Sequence, residues 1–138
     1  MFAAYDLTAD RLYGHIKECK RRGELLAFLR YVRWLYPEHK QLAIVLDNFS
    51  PHLSTKTDRR VGDYAAAHNI ELLCVPFNAS WLNRIEAQFT GLRHFALEGT
   101  DHVTHKDQGR AIRCYIIWRN RSPHDRHLST IIERANVA

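Results

Sequence analysis

The stretch Leu42-Ala43-Ile44-Val45-Leu46-Asp47-Asn48-Phe49-Ser50-Pro51-His52 decides how this chain is read. Its first five residues are all apolar, and such a run suits a strand buried on both faces of a sheet. The run stops at Asp47-Asn48, which is turn chemistry. A second apolar run, Ile70 to Val75, repeats the pattern and is stopped by Pro76. Lys56 to His68 between them reads as a helix, so the centre of the chain is strand, helix, strand with a right-handed crossover.

Upstream of this centre, Leu25, Phe28, Leu29, Val32, Leu35 and Tyr36 fall at helical spacing. They predict a helix from Glu24 to Tyr36, ended by Pro37. Met1 to Tyr5 and Arg11 to Lys17, joined by a turn at Asp6 to Asp10, read as a hairpin. Downstream, a helix is expected from Trp81 to Leu97, with the stripe Leu82, Ile85, Phe89, Leu92 and Ala96. Another is expected from Lys106 to Arg119, followed by a polar tail with a short helix at Leu128 to Ala135. The order predicts an α/β layered domain with one mixed sheet flanked by helices. Residues 1–120 form the expected domain and residues 121–138 its C-terminal tail.

Composition sets the outer bounds. A length of 138 residues is one domain's worth, and 46% hydrophobic with 25% charged residues is a globular profile. No apolar run approaches the ~20 residues of a membrane helix, so no membrane is expected as a partner. The start, Met1-Phe2-Ala3-Ala4-Tyr5-Asp6, lacks the basic beginning and long apolar core of a signal peptide. Cys19, Cys74 and Cys114 are far apart, which argues for free thiols in a reducing, cytoplasmic setting. Cys74 sits in an apolar run and is expected in the core. The net charge of +5 favours an anionic partner, nucleic acid being the commonest.

Asp47 stands at the carboxyl end of a strand, the edge where ligands and catalytic groups gather in open α/β sheets. It reads either as a turn or capping residue or as a metal ligand. Glu86 falls in the first turns of the third helix, beside apolar Ile85, at the border of the expected buried face. It reads either as an acid favoured at a helix N-terminus or as a second metal ligand. Asn83 lies three residues earlier, on the same side of that helix. Together, a strand-end Asp and a helix-start Glu are the pieces of a hard-cation site.

The segment Leu46 to His52 resembles the second-carboxylate motif of DDE-superfamily transposases. Asn78-Ala79-Ser80-Trp81-Leu82-Asn83-Arg84-Ile85-Glu86-Ala87-Gln88-Phe89 resembles their third-carboxylate motif. Phe2-Ala3-Ala4-Tyr5-Asp6, Tyr115-Ile116-Ile117-Trp118-Arg119-Asn120 and Arg134-Ala135-Asn136-Val137-Ala138 are also similar to that family. The branch most resembled is the bacterial insertion-sequence relatives of mariner transposases. The resemblance implies an RNase H-like (retroviral-integrase-like) fold and metal-dependent DNA strand cleavage and transfer. It implies Asp47 and Glu86 as catalytic, metal-holding carboxylates for a two-ion site of Mg²⁺ or Mn²⁺. Asn48, His52 and Asn83 would orient them, and Trp81, Arg84 and Arg93 would touch DNA. The implied partners are transposon-end and target DNA and, in the intact transposase, further copies of the chain in a nucleoid-associated assembly.

One departure from the family pattern is expected to matter. The family's first catalytic Asp lies on a strand upstream of the Phe-Ala-Ala-Tyr segment, so the domain reads as N-terminally truncated. Asp6 and Asp10 fall in the hairpin turn and do not replace that residue. The chain alone is therefore expected to be inactive. Lys17, Lys20, Arg21, Arg22, Arg59, Arg60, Arg110, Arg113, Arg119 and Arg121 supply further candidate phosphate contacts. The alternative is a non-catalytic nucleic-acid-binding or self-associating module from a decayed element. A host nuclease of the RNase H-like type is a third reading.

Overall fold

A computed structural model describes residues 1–46, 58–75 and 84–137. The chain divides into two compact units: Met1–Phe2 with Lys17–Asn83, and Ala3–Ile16 with Arg84–Ala138. Both are built from short strands and amphipathic helices.

In the first unit, helix α1 spans Arg22–Trp34, strand β3 Leu42–Leu46, helix α2 Arg60–Ala67 and strand β4 Ile70–Cys74; strands β1 (Phe2–Asp6) and β2 (Arg11–His15) form the hairpin described below. Strands β3 and β4 are parallel, with Leu42 opposite Ile70 and Leu46 opposite Cys74. A parallel pair needs a crossover, and α2 supplies it. Leu25, Phe28, Leu29 and Val32 of α1, with Val61 and Ala65 of α2, form the buried layer. The Phe2 ring stacks on Phe28 at 6.2 Å. Buried Arg33 closes the end of α1, donating to the carbonyls of Pro37 (2.6 Å), Lys40 (2.8 Å) and Tyr36 (3.3 Å). These carbonyls belong to the turn that follows α1, so the guanidinium fastens the chain between α1 and β3. Asp58 binds Arg60 at 2.8 Å and Arg22 at 2.9 Å, joining the starts of α1 and α2. These hydrogen bonds, from Arg60 first and then Arg22, hold its carboxyl far below the usual carboxylate range.

In the second unit, strands β1 (Phe2–Asp6) and β2 (Arg11–His15) pair through a four-residue connection. Only an antiparallel hairpin turns so tightly. Asp6 makes the turn by accepting the amides of Thr8 (2.8 Å) and Ala9 (2.9 Å). Asp10 closes it with a positive φ of 49°, a conformation Asp tolerates better than most residues. Helices α3 (Ile85–Ala96), α4 (His105–Arg121) and α5 (Arg126–Val137) follow. Thr104 caps α4 by accepting the Asp107 amide at 3.1 Å. Gly91 lets neighbouring helices approach α3: a Cβ there would meet Tyr115 Oη at 2.7 Å and Leu128 Cδ1 at 3.3 Å.

Several expectations need correcting. Among the described residues the strands form two separate two-stranded sheets, not one mixed sheet. The β3–β4 pair is not buried on both faces, since Val45 is 46% and Leu73 43% exposed. Cys74 is also exposed and packs in no core: it is the last residue of β4, on the opposite face of the strand from Leu73. Helix α2 begins at Arg60 rather than Lys56, with Asp58 bonding the Arg60 amide at its start. The last helix runs to Val137, longer than expected, and buries Leu128. No described helix is long and apolar enough to cross a membrane.

Candidate active site

Glu86 is the second residue of α3. Its carboxylate is exposed and has no hydrogen bond or ion pair among the described residues. The border position expected from Ile85 is not what folds. The buried side of α3 is Ala87, Gln88, Gly91, Leu92 and Ala96, and Glu86 lies off it. Arg84 immediately precedes the helix and Arg93 lies seven residues beyond Glu86; both are exposed. Seven residues are two helical turns, so Glu86 and Arg93 share one line about 10 Å apart. Asp47 follows Leu46, the last residue of β3, in the chain. Asp47, Asn48, His52, Trp81 and Asn83 lie outside the described residues.

The opposite side of α3 carries a buried polar network that the sequence did not announce. Gln88 is 2% exposed and Arg119 of α4 is 2% exposed. Arg119 Nε donates to Gln88 Oε1 at 3.0 Å. The same guanidinium donates to the backbone carbonyl and the carboxylate of Asp10 in the hairpin turn. It also lies over the Tyr5 ring at 5.2 Å, and Tyr5 Oη donates to Asp10 at 2.7 Å. Next to it, Asn120 clasps the Leu12 backbone, accepting its N–H and donating to its C=O, both at 2.8 Å. One arginine therefore joins α3, α4 and the hairpin. The helix that carries Glu86 is held from its far side.

This geometry gives Arg119 a different role from the phosphate contact expected of it. A cation buried on three partners is not a surface charge. Burial raises the Asp10 carboxyl, but hydrogen bonds from Arg119 and Tyr5 outweigh it and leave it below its ordinary value. Tyr5 moves the other way, raised by burial and then by its bond to Asp10. Asp6 and Asp10 are both committed to the turn, as expected of the hairpin. The Trp118-Arg119-Asn120 stretch did carry a signal, through its resemblance to a family motif. Gln88 stands in the segment that resembles the third-carboxylate motif, but nothing in the sequence marked it as a partner of Arg119.

A hard cation takes carboxylate oxygens, and Glu86 offers an uncommitted one. Among the described residues no three His, Cys, Asp or Glu side chains converge on a metal position. The shallow cleft lined by Thr100, Asp101, His102, Thr104 and His105 contains none of the expected site residues.

A family model described as DDE superfamily endonuclease matches residues 1–107. No curated protein gives a significant match.

Proposed function

The chain belongs to the DDE superfamily endonuclease family, and from that membership we propose that it is catalytic-domain material of a DNA transposase of the bacterial insertion-sequence branch related to mariner elements. The observation that carries the reading is the family match over residues 1–107, which spans Asp47 and Glu86. Glu86 on the first turn of α3 and Asp47 directly after β3 are proposed as two carboxylates of one divalent-cation site. The ions, Mg²⁺ or Mn²⁺, would polarise a phosphodiester and stabilise the attacking and leaving oxygens when bound. The chain's own part is to present the carboxylates: Arg119 and Gln88 hold α3 from behind, leaving the Glu86 side open to solvent. Asn48, His52 and Asn83 are proposed to orient the pair, and Trp81, Arg84 and Arg93 to contact DNA. Copies of the chain are proposed to assemble on paired DNA ends.

Neither Asp6 nor Asp10 is free to serve as a further carboxylate: Asp6 accepts the amides of its own turn, and Asp10 accepts from Arg119 and Tyr5. Among the described residues we assign no further carboxylate to the site. The test is calorimetric titration of the full chain with Mn²⁺. Glu86→Gln should weaken binding about tenfold, a change of ~1.4 kcal/mol. Unchanged affinity would remove Glu86 from the site. Mn²⁺-dependent nicking of duplex DNA, abolished by Glu86→Gln, would show that the chain suffices.

The apolar face formed by Val45 and Leu73 favours a second reading, a non-catalytic self-associating module. Val45→Lys separates the two. It should abolish association without touching Mn²⁺ affinity if that face is the functional one.

A further inference from the structure

Resting on the reading that DNA is the substrate, we propose that the outward face of α4 is a track for the phosphate backbone of duplex DNA. At 100° per residue, Lys106, Arg110, Arg113 and Arg121 fall with Ile117 and Trp118 inside an arc of about 140°. All six are exposed. The other side of the same helix is turned inward, with Gly109, Tyr115 and Arg119 buried. The helix thus separates its arginines: Arg119 is used inside the unit, and the rest face solvent.

None of the four outward cations has an ion pair or hydrogen bond among the described residues. The one acid near the face, Asp107, is committed to the helix start: it accepts the Thr104 hydroxyl at 2.6 Å. Lys106 and Arg121 are separated by 15 residues, about 22 Å of helix. Duplex DNA presents a phosphate every ~3.4 Å along each strand, so a straight row of cations this long meets several at once. The chain's net charge is +5, and four of its cations lie on this single face. Such contacts position DNA without reading its sequence. They would give the domain a grip on duplex separate from Arg84 and Arg93 near Glu86.

The experiment is a binding titration of the full chain on a fluorescent duplex, repeated over a range of salt concentrations. Replacing Arg110, Arg113 and Arg121 together by Ala should weaken binding at least tenfold at low salt. It should also make the slope of log K against log salt shallower by about 2.7, or ~0.9 for each phosphate no longer neutralised. The triple Lys variant should keep the slope, which separates removal of charge from failure to fold. A control with the same charge change, Arg11→Ala, Arg126→Ala and Arg134→Ala, should alter the slope by less than about 1. An unchanged slope in the α4 Ala variant, or equal weakening in the two Ala variants, overturns the proposal. Failure of the unaltered chain to bind duplex overturns both this proposal and the DNA reading beneath it.

Discussion

Replacing Arg119 by Met tests whether the buried network holds the second unit together. Met fills most of the volume but donates nothing. Gln88 Oε1, on a residue only 2% exposed, then loses its partner, which costs ~1–3 kcal/mol. The Asp10 side chain is 43% exposed, so water replaces much of what it loses and its share falls below ~1 kcal/mol. Loss of the Arg119 stack on Tyr5 adds ~0.5–1 kcal/mol. The total is about 3 kcal/mol, or a fall in Tm of roughly 10 °C for a chain of this size. The assay is thermal unfolding followed by circular dichroism, with Gln88→Leu and the double variant measured alongside. Because Leu removes the orphaned acceptor, the double variant should be about 1 kcal/mol more stable than the sum of the singles predicts. A Tm shift under about 2 °C for Arg119→Met, or strict additivity with Gln88→Leu, would refute the network as a fastener.

The hairpin and the aromatic core give two further expectations. Asp10 has a carboxyl held below its ordinary value in the folded chain, so its contribution is complete above the unfolded pKa of ~3.9 and is lost as pH falls through the lower folded value. Thermal scans between neutral and about pH 3 should show an acid loss of stability that Asp10→Asn makes shallower, with Asp58 among the carboxylates that supply the rest; an unchanged acid limb would contradict this. Tyr115 has its hydroxyl buried without a hydrogen-bond partner among the described residues, and burial pushes its pKa up to about 12. Tyr115→Phe should therefore be neutral or stabilising by up to ~1 kcal/mol in the same scans, and a clear loss would reveal an unrecognised partner for that hydroxyl.

What the sequence made legible follows from how burial is written in it. The run Leu42 to Leu46 is a strand with the expected bounds, and the stripe from Leu25 to Val32 is the buried side of α1. Apolar periodicity reports such elements directly. The hairpin was legible because Asp6 and Asp10 are turn residues between two short runs. Arg119 was not legible as an anchor: an arginine reads as surface charge, and its partner Asp10 is 109 positions away. Cys74 misled because it continues an apolar run, yet it is the last residue of β4, where the cover over Ile70 on the same face no longer reaches. The order and spacing of the Asp47 and Glu86 motifs identified the family correctly. Their chemical pairing is a matter of side-chain position, which strand and helix patterns do not encode.

A thermodynamic cycle on Mn²⁺ affinity tests the central claim most directly, using the full chain, Asp47→Asn, Glu86→Gln and the double variant. Two carboxylates on one ion predict a loss from each single change, about tenfold or ~1.4 kcal/mol. Once one ligand is gone the other has less left to hold, so the double variant should lose clearly less than the product of the singles. Losses that multiply, or no loss from either change, would contradict a shared site.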